Sequence, residues 1–112
     1  MTISNISEAL KLSLVTGSMD KEFDGVYVGD LLSRAMSHVE ADNLFVTIMA
    51  NVNVIAVASL TEAAAVILCE DVRLPKEAIE AADTNGITVL TTPLTAYEVC
   101  CTVHDLTSGK AV

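Results

Sequence analysis

The stretch NVIAVASLTEAAAVILC, Asn53 to Cys69, contains a single carboxylate, Glu62. Its reading decides the fold: it is a membrane span, a buried core or the lining of a site. A transmembrane helix needs about 20 consecutive apolar residues. This run is shorter, and Ser59, Thr61 and Glu62 interrupt it. It therefore divides into two elements. Before the break, Val54, Ile55, Val57, Ala58 and Leu60 suit a short buried helix, which Asn51 or Asn53 can cap. After it, Ala65-Val66-Ile67-Leu68-Cys69 is continuously apolar and ends at Glu70-Asp71. A strand covered on both faces reads this way in a parallel sheet.

The flanking sequence extends the pattern. Thr2 caps a first helix with Ile3, Ile6 and Leu10 on one face. Leu12 and Leu14 alternate with Lys11 and Ser13, as in a strand with one wet face. Gly17 to Gly25 is a polar loop, and Val26-Tyr27-Val28 a short strand. Asp30 is placed to cap a helix whose apolar set is Leu31, Leu32, Ala35, Met36 and Val39. After a turn at Glu40 to Asn43, Leu44 to Met49 reads as a strand. Pro75 stands at the first position of a helix reaching about Thr84, with Gly86 past its end. Ile87 to Thr91 is a further strand. Thr92-Pro93 starts the last helix, whose inward set is Ala96, Val99, Cys100, Val103 and Leu106. Alternation of strand and helix from Leu44 onward predicts a mostly parallel sheet with helices packed on it. The expectation is one α/β domain over residues 1–106, three layers deep, with a frayed tail at 107–112.

Composition narrows the function. The chain has 112 residues, is 52% hydrophobic and only 4% aromatic, so its core is built from aliphatic side chains. A formal charge of -9, with six scattered Lys and Arg, disfavours nucleic acid, whose phosphates are neutralised by such residues. Anionic membrane surfaces are disfavoured for the same reason. Three cysteines make a poor disulfide framework, and the N-terminus lacks a basic region followed by a long apolar core, so a cytoplasmic location is expected.

The segment AAAVILCEDVRLPKEAIEAADTNGITVLTTPLTAYEV, Ala63 to Val99, resembles the N-terminal domain of HPr kinase/phosphorylase and the related DRTGG domains. VYVGDLLSRAM, Val26 to Met36, and VTIMANVNVIAVASL, Val46 to Leu60, look like stand-alone proteins of that type. The likeness runs from about Thr2 to Leu106. The family's Asp-Arg falls opposite Asn51-Val52-Asn53 and its Thr-Gly-Gly opposite Cys69-Glu70-Asp71, so neither signature is retained. No G-x-x-x-x-G-K-[ST] occurs, and Ser108-Gly109-Lys110 lacks the strand and helix such a loop needs. The resemblance implies an accessory, non-catalytic domain and a homodimer, with an undefined ligand or a partner enzyme.

Ligands in open α/β sheets bind beyond the C-terminal ends of parallel strands. Ala50 to Asn53, Cys69 to Asp71 and Thr91 to Pro93 occupy such places. Asn51, Asn53, Glu70, Thr91, Thr92 and Thr95 are therefore the candidate ligand-binding residues, although Asn and Thr there also serve as helix caps. Cys101 and His104 are three apart and Cys100 and His104 four apart, so either pair can share a helix face, but two ligands do not make a metal site. No cofactor or metal is expected. The leading expectation is a regulatory or ligand-sensing domain. The alternatives are an oligomerisation or protein-interaction module, and an enzyme using Glu70 or Asp71.

Overall fold

The computed structural model describes residues 1–108. In chain order its elements are α1 (Ile3–Ile6), β1 (Ser13–Thr16), β2 (Gly25–Val28), α2 (Leu32–His38), β3 (Asn43–Thr47), α3 (Val52–Thr61), β4 (Ala65–Leu68), α4 (Lys76–Asn85), β5 (Val89–Thr91) and α5 (Ala96–Ser108). The five strands form one sheet in the order β1-β5-β4-β3-β2. β2 to β5 are parallel, and β1 closes the edge antiparallel to β5.

The apolar run AVIL occupies the middle strand, β4, and all four of its residues are buried. Successive residues of a strand point to opposite faces. Ile67 and Cys69 accordingly join Ile3, Ile6, Leu10, Val99 and Val103 on one side. Val66 and Leu68 meet Ala35, Val54, Ala58, Ala78 and Ala82 on the other. The crossovers from β2 to β5 step in one direction, and crossovers of one hand then place α2, α3 and α4 together on one face. The bare face is covered by α1 and α5. The result is an α/β fold three layers deep.

Local signals work as expected at several joints. Asn51 caps α3 by accepting a hydrogen bond from the Val54 N–H at 3.1 Å. Gly86 ends α4 with φ 67° and ψ 29°, the left-handed geometry that glycine adopts without penalty. Pro75 stands at the N-cap, one position before the expected one.

Several expectations are corrected. Asp30 does not cap α2; Leu31, extended at φ -96°, holds that position and is 63% exposed. The helix then turns Leu32, Ala35 and Val39 inward and leaves Met36 out, one residue past Ala35 and about 100° around the axis. Leu60 is 70% exposed because α3 buries the face of Val54, Ile55, Val57 and Ala58. Lys11 takes a turn conformation with φ 53°, so β1 begins at Ser13, and Leu14 is exposed on an edge strand. β3 ends at Thr47, and β5 begins at Val89. The last helix starts at Ala96, because Thr92 to Thr95 form a hydrogen-bonded bend before it. Thr107 and Ser108 belong to α5, and Thr107 Oγ1 donates to the Val103 carbonyl at 2.8 Å. The remainder of the expected tail, residues 109–112, lies outside the described residues.

Candidate functional site

The C-terminal ends of four parallel strands meet at one edge of the sheet. The order β5-β4-β3-β2 runs without reversal, so there is no point where crossovers diverge to opposite faces and open a crevice. Clefts at this edge are formed by the strand ends together with the loops that follow them.

The central loop follows β4. Glu70 and Asp71 are both left-handed, with φ 60° and 59°. L-residues pay about 1–2 kcal/mol each for that conformation. The backbone shape is one that glycine adopts without penalty, held here by two L-residues. Hydrogen bonds hold it in place. The Glu70 N–H donates to the Leu94 carbonyl at 2.9 Å and the Asp71 N–H to the Thr92 carbonyl at 3.0 Å. Both amides are thereby spent on the β5–α5 bend rather than turned outward.

This loop separates two clefts. The first, of 190 Å³, lies at the ends of β2, β3 and β4. Val28, Val46, Ile48 and Ala96 give it apolar walls, and Gly29, Asp30, Thr47 and Glu70 complete the lining. Asp30 and Glu70 are exposed carboxylates on its rim, and no Lys or Arg lines it. Such a rim attracts cations and repels phosphate. The second, of 580 Å³, is a groove on the side of α4, and Thr91, Asp71 and Arg73 are its polar lining.

The structure thus divides the six candidate residues. Glu70 goes to the first cleft and Thr91 to the second. Asn51 is the α3 cap, and Asn53 lies exposed in that helix's first turn. Thr92 is buried; its hydroxyl donates to the Leu10 carbonyl at 2.6 Å and accepts from the Leu94 N–H at 3.2 Å. Thr95 caps α5: its hydroxyl accepts from the Glu98 N–H at 3.2 Å, and Glu98 Oε1 accepts from the Thr95 N–H at 3.0 Å. That is a capping box. The Thr95 N–H and the Thr95 hydroxyl, which donates to Glu98 Oε1 at 3.2 Å, hold the Glu98 carboxyl below the usual glutamate range.

Sequence reasoning missed Gly29, Asp30, Thr47 and Ile48. The strand-end rule that selected the other loops also selects Gly29-Asp30 after β2, but Asp30 reads as a helix cap. It missed Arg73 as well, two residues beyond Asp71.

Cys69 is fully buried below this loop. Burial, with the Cys100 thiol and the Glu70 carboxylate adding to it, pushes its thiol up to about 11. It is therefore protonated at neutral pH and a poor nucleophile. Among the described residues no group of three or more His, Cys, Asp or Glu is placed to hold a metal ion. Nor is any helix among them long and apolar enough to cross a membrane.

Comparison with curated proteins gives no match. Among solved structures, the fold is similar to the CBS and DRTGG domains of the regulatory region of Clostridium perfringens pyrophosphatase, complexed with its activator, diadenosine tetraphosphate. The TM-score is 0.74 at 18% identity; the alignment covers 91% of this chain and 45% of that one. The chain thus spans less than half the length of that regulatory region. The DRTGG domain model matches residues 5–106, nearly the whole chain, so the protein belongs to the DRTGG domain family.

Proposed function

We propose that this protein is a non-catalytic regulatory domain that senses a small polar ligand in the cleft at the ends of β2, β3 and β4. The observation that carries the reading is the cleft's position and lining. It lies beyond the C-terminal ends of three parallel strands, at an edge without a switch point, and its rim is set by Asp30 and Glu70. The ligand is neutral or cationic. A polyphosphate is disfavoured there, because two carboxylates face it and the loop amides are already bonded. The activator of the pyrophosphatase region was seen in a structure more than twice as long, which includes CBS domains. Its chemistry is not carried over to this cleft.

A regulatory role agrees with the family and with the similar regulatory region. The free cysteines Cys69, Cys100 and Cys101 suit the reducing cytoplasm. The test is direct binding measured by calorimetry on wild-type protein and on Glu70→Gln. Removing one rim charge is expected to weaken a cationic ligand about tenfold. Equal binding of a cationic ligand by the two proteins would remove that ligand from this cleft.

A second reading has its own observation. Val26, Val28 and Ile48 are exposed along the unpaired β2 edge and at the mouth of the same cleft. An apolar edge of this kind suits a second copy of the chain or a partner enzyme. Sedimentation equilibrium tests self-association: a dimer lost in Val28→Lys supports it at this edge, and a wild-type monomer would rule it out.

A further inference from the structure

The groove beside α4 lies across the β4–α4 loop from the cleft just assigned, and it has a different chemistry. Its walls are aliphatic: Val15 from β1, Val72 and Leu74 from the loop, and Ile79 from α4. No aromatic side chain lines it, so nothing there stacks on a base or a ring. Two opposite charges lie at its rim, Arg73 and Asp71, both exposed. Thr91 supplies a hydroxyl at the end of β5. Thr16, Thr47, Thr88 and Thr92 spend their hydroxyls on hydrogen bonds inside the fold. The half-buried Thr91 hydroxyl has no such partner among the described residues.

We propose that this groove binds a free aliphatic α-amino acid. The Arg73 guanidinium takes the carboxylate as a planar two-pronged donor. Asp71 takes the ammonium, Thr91 adds a hydrogen bond, and the aliphatic side chain lies against Val15, Val72, Leu74 and Ile79. A zwitterion fits where other ligands do not. A phosphate dianion is repelled by Asp71 and by the chain's net charge of -9. A simple amine leaves Arg73 unanswered. The groove's 580 Å³ is ample for a side chain the size of leucine. It is open to water, so affinity is expected around the millimolar range.

The inference is independent of the ligand in the first cleft and has its own test. Isotope-labelled protein is titrated with L-leucine and followed by NMR. Saturable shifts are expected at Val15, at Val72 to Leu74, and at Ile79 and Thr91. Arg73→Gln is expected to weaken leucine about tenfold, and Lys21→Gln, a remote charge change, to leave it unaltered. Asp71→Asn should weaken leucine but not 4-methylpentanoate, which lacks the ammonium. Arg73 and Asp71 are exposed, so the variants should fold, and unchanged spectra elsewhere will show it. Shifts that fail to saturate, shifts centred on other residues, or an Arg73→Gln protein that binds leucine as tightly as wild type would each overturn the proposal.

Discussion

Glu70 and Asp71 show how much a single backbone angle decides. Both hold positive φ, the conformation that favours glycine. Glycine relieves the strain of that conformation but gives the unfolded chain more freedom. The balance favours glycine here, since two adjacent L-residues carry the penalty. Glu70→Gly and Asp71→Gly are each expected to stabilise the free protein by about 0.5–1 kcal/mol, raising the thermal midpoint by roughly 2–6 °C. Thermal denaturation checks this, and a lower midpoint in both variants would show that side-chain contacts outweigh the strain. Thr92 is the opposite case. It looks like a ligand group in the sequence and is a latch in the structure, tying Leu10 to the start of the β5–α5 bend. Thr92→Val leaves a buried carbonyl and an amide without that hydroxyl, and is expected to cost about 1–3 kcal/mol in chemical denaturation. Sequence gives residue type and spacing. It does not say whether a hydroxyl at a strand end turns toward solvent or back toward Leu10, 82 positions away.

At the scale of elements, legibility followed the strength of the physical signal. The uninterrupted apolar run identified β4 as a strand covered on both faces, and it is the middle of the sheet. Pro75 and Gly86 bracketed α4 to within a residue, because each has a conformational preference of its own. α2 and α3 were read less well. Their apolar residues outnumber what one face buries, so periodicity alone did not show that Leu31, Met36 and Leu60 stay exposed. The start of α5 was misplaced because Thr92-Pro93 resembles a helix start, whereas the capping box formed by Thr95 and Glu98 begins the helix later. Thr95→Ala is expected to cost about 1 kcal/mol. The Glu98 carboxyl is held low by its bonds to Thr95. A depressed folded-state value means that this contribution is complete above the ordinary glutamate range. It fades as pH falls through that range and is gone below the lowered folded value. Urea denaturation across this acid window should therefore show a shallower fall in stability for Glu98→Gln than for wild type; identical profiles would mean that the cap does not depend on the charge.

For the whole molecule, the order of the strands matters most. A chain that steps steadily from β2 to β5 places α2, α3 and α4 on one face and leaves the other to α1 and α5. The sequence showed the alternation and the likeness to the family, but not the strand order, and so not which strand-end loops would share a cleft. Gly29-Asp30 and Glu70 lie about 40 positions apart in sequence and come together only because β2, β3 and β4 are neighbours. The same loop sends Asp71 and Arg73 to the opposite side. The proposed function places a neutral or cationic ligand in the cleft of Asp30 and Glu70. The most direct measurement is a thermal-denaturation panel of amines, divalent metals, neutral metabolites, nucleotides and phosphorylated compounds, run on wild type, Glu70→Gln and Arg73→Gln. A ligand at a hundred times its Kd adds about 2.7 kcal/mol to the native state. A saturable rise in midpoint is expected with one neutral or cationic class, retained in Arg73→Gln, and for a cation reduced in Glu70→Gln. Stabilisation by phosphorylated compounds alone, or a flat panel on folded wild-type protein, would contradict it.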